Sequence, residues 1–407
     1  MGLTLRNFVS AGVFTLAAFL LTTTVQAAAD CDSQPSIHCG STPSATLAEG
    51  RLWTAFVQDQ HVYVSSSDDF GKQFSEAVRV NPVPEDAEHN GENRPKIIVN
   101  GDEIYVTWTL KTSPRFTGEI RFSRSLDAGR TFSEPRTVND DGLFTGHRFE
   151  SLFLTESGHL YLTWIDKRDL EAAIEAEQPY SGAAIYYAVS DDGGESFSRN
   201  YRVANHSCEC CRIAIAPNGP ENIAILWRQI FGVTTRDHAI AVLTPDGEMQ
   251  QMHRASYDNW QIDACPHHGP SMTRSRASGD YHMSWFSNGD SHQGVYYGRF
   301  DLAAGEPAHV RQIDGRPGAG HPFLAEYQGV VYLVWKGFDG QQSLIQLITS
   351  SDDGVSWSEP QILASTSEGS DYPLLVSDDS GVYLSWKSDE LGYLFEPVSA
   401  KEGSASD

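Results

Sequence analysis

Residues 94–108 read RPKIIVNGDEIYVTW: a short apolar run, a turn of Asn and Gly, then a strand that ends in Trp108. Ile104, Val106 and Trp108 fall on one face of that strand, the period-two pattern of a chain segment with one buried side. The same grammar returns at 148–164, 212–227, 269–285, 321–335 and 372–386, each time ending in Trp, and at 42–56 with Phe56 in the Trp place. Pro43 to Phe56, Pro95 to Trp108, Pro322 to Trp335 and Pro373 to Trp386 are each 13 residues apart, and successive Trp positions lie 50 to 63 residues apart. Units of that size are small sheets that cannot bury their faces alone and must stack on their neighbours. The pattern predicts an all-β chain, a β-propeller of four-stranded blades. Seven copies predict seven blades, with six as the alternative. The last copy lacks an obvious fourth strand after Phe395, so the N-terminal stretch is expected to complete it and close the ring.

A second motif recurs in phase with the first. It reads SDDFGKQF at 67–74, SLDAGRTF at 125–132, SDDGGESF at 190–197 and SSDDGVSW at 350–357, that is S-x-D-x-G-x-x-[FW]. The Asp can accept backbone N–H bonds in a turn, the Gly supplies a backbone angle costly to other residues, and the aromatic is suited to plug the hairpin into the blade. This pattern is the Asp-box, and over nearly its whole length the chain resembles the sialidase (neuraminidase) superfamily of Asp-box propellers. The resemblance implies six blades as the usual number, and Asp-boxes that lie away from the active site; it identifies a fold and not an activity.

The first 27 residues carry one charge, Arg6, then an apolar stretch from Phe8 to Leu21 and a small-residue site at Val25-Gln26-Ala27, which reads as a secretory signal peptide. Asp30 precedes Cys31 where a lipoprotein signal requires a small residue. The expected organisation is a signal peptide at 1–27, an N-terminal segment at 28–42, the propeller at 43–398 and a C-terminal tail at 399–407, in a secreted or periplasmic protein with no membrane insertion. A net charge of −25 repels nucleic acid and anionic lipid, so neither is expected as a partner. P-loop, G-x-G-x-x-G and G-x-S-x-G signatures are absent. The six cysteines meet an oxidising compartment if the chain is exported.

In a propeller the loop leading into each blade's innermost strand lies on one face, around the axis. Those lead-in residues are Thr42, Asn93-Arg94, His147-Arg148, Cys210-Cys211-Arg212, Cys265-Pro266-His267-His268, His321 and Asp371-Tyr372. The stretches NHSCECCR (205–212) and DACPHHGP (263–270) therefore lead into adjacent blades and are expected to meet, with Arg94, Arg148 and Arg212 forming a positive funnel.

Three chemistries fit this ring. Cys208, Cys210, Cys211, Cys265, His267 and His268, with His147 and His321 from flanking repeats, are soft and intermediate ligands suited to copper or zinc, for metal handling or a redox task. The family resemblance implies instead an exo-acting sialidase in which Arg94, Arg148 and Arg212 hold the substrate carboxylate, with Tyr372 and Glu150 nearby; against it, Arg94 is followed by Pro95 and not by the family's Arg-Ile-Pro signature. The third reading is an interaction scaffold braced by disulfides: Cys31 with Cys39, and Cys265 with one of Cys208, Cys210 or Cys211, at least one bridge being expected among these four. A small molecule, a glycan or a metal is the expected ligand. The charged run at 166–178 reads as a helical insertion, or more plainly as a solvated loop.

Overall fold

The computed structural model describes residues 31, 34–290 and 292–398, so the expected signal peptide and C-terminal tail lie outside the described residues. The described chain forms consecutive antiparallel meanders over 41–79, 96–137, 147–207, 214–254, 271–314, 320–366 and 374–397. Six have four strands and the last has three. The third and fourth are joined into one eight-stranded sheet through a single pairing of Ser207 with Gln229.

The first strand of each meander, from Ser41–Ala48 to Leu374–Asp378, packs against the first strands on both sides, and the last of these meets the first. The ring is thus closed by seven blades around an axial cavity. Among the described residues the last blade takes no fourth strand from the N-terminal segment. Residues 36–40 cover it with side chains instead: Ile37 is buried among Tyr383, Tyr393 and Phe395, and a disulfide joins Cys31 to Cys39.

Six second strands deliver their Trp to the core between blades, where Trp108, Trp164, Trp227, Trp285, Trp335 and Trp386 are almost completely buried. A buried indole N–H needs an acceptor. Each finds one: Glu85, Asp166, Gln229, Asp258, Asp314 and the carbonyl of Asp371, in that order, at 2.7–3.1 Å. Phe56 fills the equivalent place in the first blade and needs no acceptor. Gly40 lies against its ring so closely that a Cβ would sit 2.2 Å from Cδ2.

The four S-x-D-x-G-x-x-[FW] turns follow the third strands of blades one, two, three and six. In each, the Ser hydroxyl accepts the Gly N–H, and the Asp accepts a backbone N–H four residues on at 2.8–2.9 Å. Strands alternate in direction, so these turns lie on the face opposite to the lead-in loops. The insertion in blade three is a helix, Arg168–Glu175, with none of its residues buried. It sits between second and third strands and hence on the lead-in face.

Candidate functional site

The lead-in loops bring their arginines to the axis, where each meets an internal carboxylate. Arg94 is buried and makes a two-pronged ion pair with Asp371, both contacts 2.7 Å, while donating to the carbonyls of Pro43 and Gly91. Arg212 pairs with Glu92 at 2.6 Å and donates to the carbonyls of Pro270 and Pro322. Arg148 pairs with Glu88 and lies over the rings of Phe116 and Phe149. The expected positive funnel is therefore absent: all three guanidiniums are neutralised and serve as struts between blades.

Glu92 is the hub of this arrangement. Its buried carboxylate also accepts the Gly269 N–H at 2.8 Å and faces His321 Nδ1 at 3.1 Å. Burial alone would raise its pKa, but the Arg212 charge and the His321 contact hold it well below the usual carboxylate range. Tyr372 stacks on His321 with centroids 3.3 Å apart, and His268 and Phe286 continue the column at 4.1 Å each. Burial lowers the pKa of both imidazoles, that of His268 to about 2, so the column is uncharged at neutral pH. Glu150 lies elsewhere, hydrogen-bonded to Thr109, and does not join Tyr372.

The two cysteine stretches do meet. Cys208 Sγ stands 3.7 Å from the sulfurs of both Cys210 and Cys211, and all three sulfurs lie within 4.8 Å of one another. Cys265, from the next blade's lead-in, comes to the same small cavity as Cys210. Cys210, Cys265 and His267 line one small cavity with Arg148, Lys167 and Phe116. The expected disulfide among these four is not formed, since a separation of 3.7 Å is far beyond a bond of about 2.05 Å. Three thiols are buried and Cys265 is exposed.

The remaining histidines are not at the thiols. His268 and His321 belong to the ring column. His147 is fully buried with Nε2 3.0 Å from Asp141 and 3.7 Å from Asp166, and Nδ1 facing the Gly118 carbonyl. Burial opposes its charging, but the two carboxylates overcome this and lift its pKa.

Two buried arginines beside the thiols were not legible from the repeat phase. Arg228, which follows the Trp of blade four, is 1% exposed and donates to the carbonyls of Arg236, His268 and Phe286. Arg236 donates to the Ile262 carbonyl. Hydrogen bonds from Cys210 and Cys211 hold the Cys208 thiol well below the ordinary cysteine range, and the two guanidiniums act in the same direction. The contacts with Cys208 push the Cys210 thiol up and burial pushes the Cys211 thiol up, so among these three sulfurs negative charge is favoured on Cys208 alone.

No protein-family model matches the chain, and no curated protein matches it either. Solved structures do. An ulvan lyase of polysaccharide lyase family 25 is similar at a TM-score of 0.55 with 9% identity, over 90% of this chain and 93% of that one. The polysaccharide lyase Uly1 is similar at 0.51 with 12% identity, over 88% of each chain. A variant of NanB sialidase from Streptococcus pneumoniae aligns at 0.46 with 11% identity, over 74% of this chain and 66% of that one. At such identities the likeness shows the fold alone. The chain has a β-propeller fold, and its own side chains carry whatever chemistry it performs.

Proposed function

We propose that this protein binds a thiophilic metal ion, Cu(I) ahead of Zn(II), through Cys208, Cys210 and Cys211, with Cys265 as the movable fourth ligand. The observation that carries this reading is the spacing of the sulfurs. Thiolates around a tetrahedral ion with bonds of about 2.3 Å stand about 3.8 Å apart, and the two Sγ–Sγ contacts of Cys208 are 3.7 Å. That is too long for a disulfide, while the three side chains are buried and turned toward one another. Buried thiolate charge is costly without compensation, and Arg228 and Arg236 are placed to supply it. Soft sulfur donors select Cu(I) or Zn(II) over hard cations, and three buried sulfurs complete a Cu(I) site where zinc requires a fourth ligand. The cavity at Cys265 and His267 supplies a way in.

Anaerobic competition between the reduced protein and a chromophoric Cu(I) chelator tests this. One tightly held ion is expected, and serine at both Cys208 and Cys211 should cost more than the roughly 10–100-fold that an outer-shell change costs. His147→Ala should leave binding unchanged. Unaltered affinity in the double serine variant, or absence of free thiols at these positions in protein isolated from an oxidising compartment, defeats the reading.

A second reading is a glycan ligand on the same face, and one feature favours it. A cavity of about 500 Å³ is lined by Asn288, Gln293, Arg316, Lys336, His321 and Tyr372, a mixture of polar donors and ring edges suited to saccharide hydroxyls and acidic groups. The ulvan lyase of the comparison was solved bound to a sulfated disaccharide unit. Binding of an acidic oligosaccharide that disappears in Lys336→Ala would support it; no binding to such glycans and no release of a leaving group from a sialoside would remove it.

A further inference from the structure

Beneath the paired arginines the first strands of all seven blades enclose an axial cavity of about 250 Å³. Its walls are largely apolar, with Ile97, Leu152, Ile215, Met272, Phe323 and Leu375 among them. Among the described residues it has a single lysine, Lys96, on the first strand of blade two. The Lys96 ammonium nitrogen donates to the Arg94 carbonyl and lies 4.0 Å from Glu150 Oε1, on the neighbouring first strand.

Glu150 is 1% exposed. Its Oε2 accepts the Thr109 hydroxyl at 2.5 Å, and Thr109 is in turn held by Asn93. Oε1 has no hydrogen-bond partner, an unusual state for a buried carboxylate oxygen. The Lys96 amine, at the wall of an apolar chamber, thus faces a buried Glu150 oxygen just behind that wall that nothing else satisfies. Neither the thiol site nor the face cavity uses them.

Burial drives both toward their neutral forms. It lowers the Lys96 pKa, only partly offset by Glu150, with Arg94 and Arg212 lowering it further. It raises the Glu150 pKa against the pull of Lys96. A free amine is a nucleophile, and a neutral carboxyl is a proton donor. A carboxylate ligand would meet the buried charge of Glu92; a charged amine would meet Lys96 and Arg212. The chamber suits a neutral molecule with a compact apolar body and one electrophilic end.

We propose that the axial cavity captures a small apolar aldehyde as an imine on Lys96, with Glu150 as the proton donor. The Lys96 nitrogen bonds to the carbonyl carbon and the carbonyl oxygen becomes a hydroxyl. Glu150 gives its proton to that hydroxyl, which leaves as water, and the remaining N–H proton returns to the Glu150 carboxylate. One aldehyde is taken up and one water released, with no change of oxidation state and no further reactant.

The test uses the full mature chain with cinnamaldehyde and cyanoborohydride, which fixes an imine as a stable amine. A single adduct that maps to Lys96 is expected, formed well before exposed lysines such as Lys72 are labelled. Lys96→Arg should abolish the fast adduct. Glu150→Gln should keep its position but slow its formation on the order of 100-fold. Should either variant fail to fold, the wild-type protein still decides: cinnamyl alcohol should slow labelling of Lys96 and not of Lys72, and glyoxylate, a charged aldehyde, should not label Lys96 selectively. Labelling spread evenly over the lysines, or unaffected by cinnamyl alcohol, overturns the proposal.

Discussion

Glu92 shows how far the chemistry of a residue depends on partners remote in sequence. It stands two positions before Arg94 yet pairs with Arg212, with the Gly269 N–H and with His321. Taking its charge away leaves the Arg212 guanidinium buried beside a neutral amide. Glu92→Gln is expected to cost about 3 kcal/mol in urea unfolding at neutral pH, the scale of a broken buried ion pair. The pH dependence gives a sharper signature. The folded-state pKa of Glu92 lies below the ordinary 4.5, so its contribution is complete above that value and is lost as pH falls toward the lowered one. The stability gap between wild type and variant should therefore be constant from pH 6 to 8 and narrow steadily below 4.5. A gap that is absent at neutral pH, or the same at pH 3 as at pH 7, contradicts this account.

At the scale of the element, the Asp-box is an inter-blade joint as much as a turn. Phe197 of blade three packs edge-on to Phe122 of blade two at 5.0 Å, and Trp357 of blade six to Tyr297 of blade five at 4.7 Å. The aromatic was expected to plug its hairpin into the blade, and at these two boxes it docks on the preceding blade. The glycine is pressed the same way: Gly354 has φ +83°, and a Cβ there would lie 1.8 Å from Tyr297 Oη. Gly354→Ala combines a left-handed backbone with an overpacked joint and should cost about 2–4 kcal/mol. Because the boxes lie on the face opposite to the lead-in loops, the reactivity of the four unpaired thiols should not change. A variant as stable as wild type, or one whose thiols become reactive together with the joint, would show that the element is not what the packing says.

These elements also mark where the sequence was readable. Repeat phase placed the Cys208–Cys211 and Cys265–His268 stretches side by side correctly, because a propeller converts position within a repeat into position around an axis. It could not reveal that Arg94, Arg148 and Arg212 are neutralised, since Asp371, Glu88 and Glu92 reach them across the ring. Nor could it tell that His147 turns away toward Asp141 and Asp166. Phase fixes where a residue starts; the rotamer and the neighbour across the axis decide where it points.

For the whole molecule the problem is closing a ring whose last blade has only three strands. The seam between the last blade and the first is sealed by a covering segment and by side chains of both blades. The N-terminal segment does this without adding a strand. Ile37, 1% exposed, lies between Leu52, Phe56 and Tyr63 of blade one and Val376, Tyr383, Tyr393 and Phe395 of blade seven. Phe74, the box aromatic of blade one, meets Tyr393 edge-on at 5.9 Å across the same seam. First-strand contacts at the axis close the inside of the ring, and this apolar cluster closes its outside. Ile37→Ala leaves a cavity where two blades and a covering segment meet, so it should cost about 2–4 kcal/mol although Ile37 belongs to no strand. The matching control is Ile362→Ala, on an outer strand and 58% exposed, which should stay within about 0.5 kcal/mol of wild type. Urea unfolding of the two variants under non-reducing conditions, with the Cys31–Cys39 disulfide intact, makes the comparison. Equal stability of the two would mean that the segment merely rests on a ring already closed, whereas a large cost confined to Ile37 would identify residues 36–40 as the clasp that holds the first blade to the last.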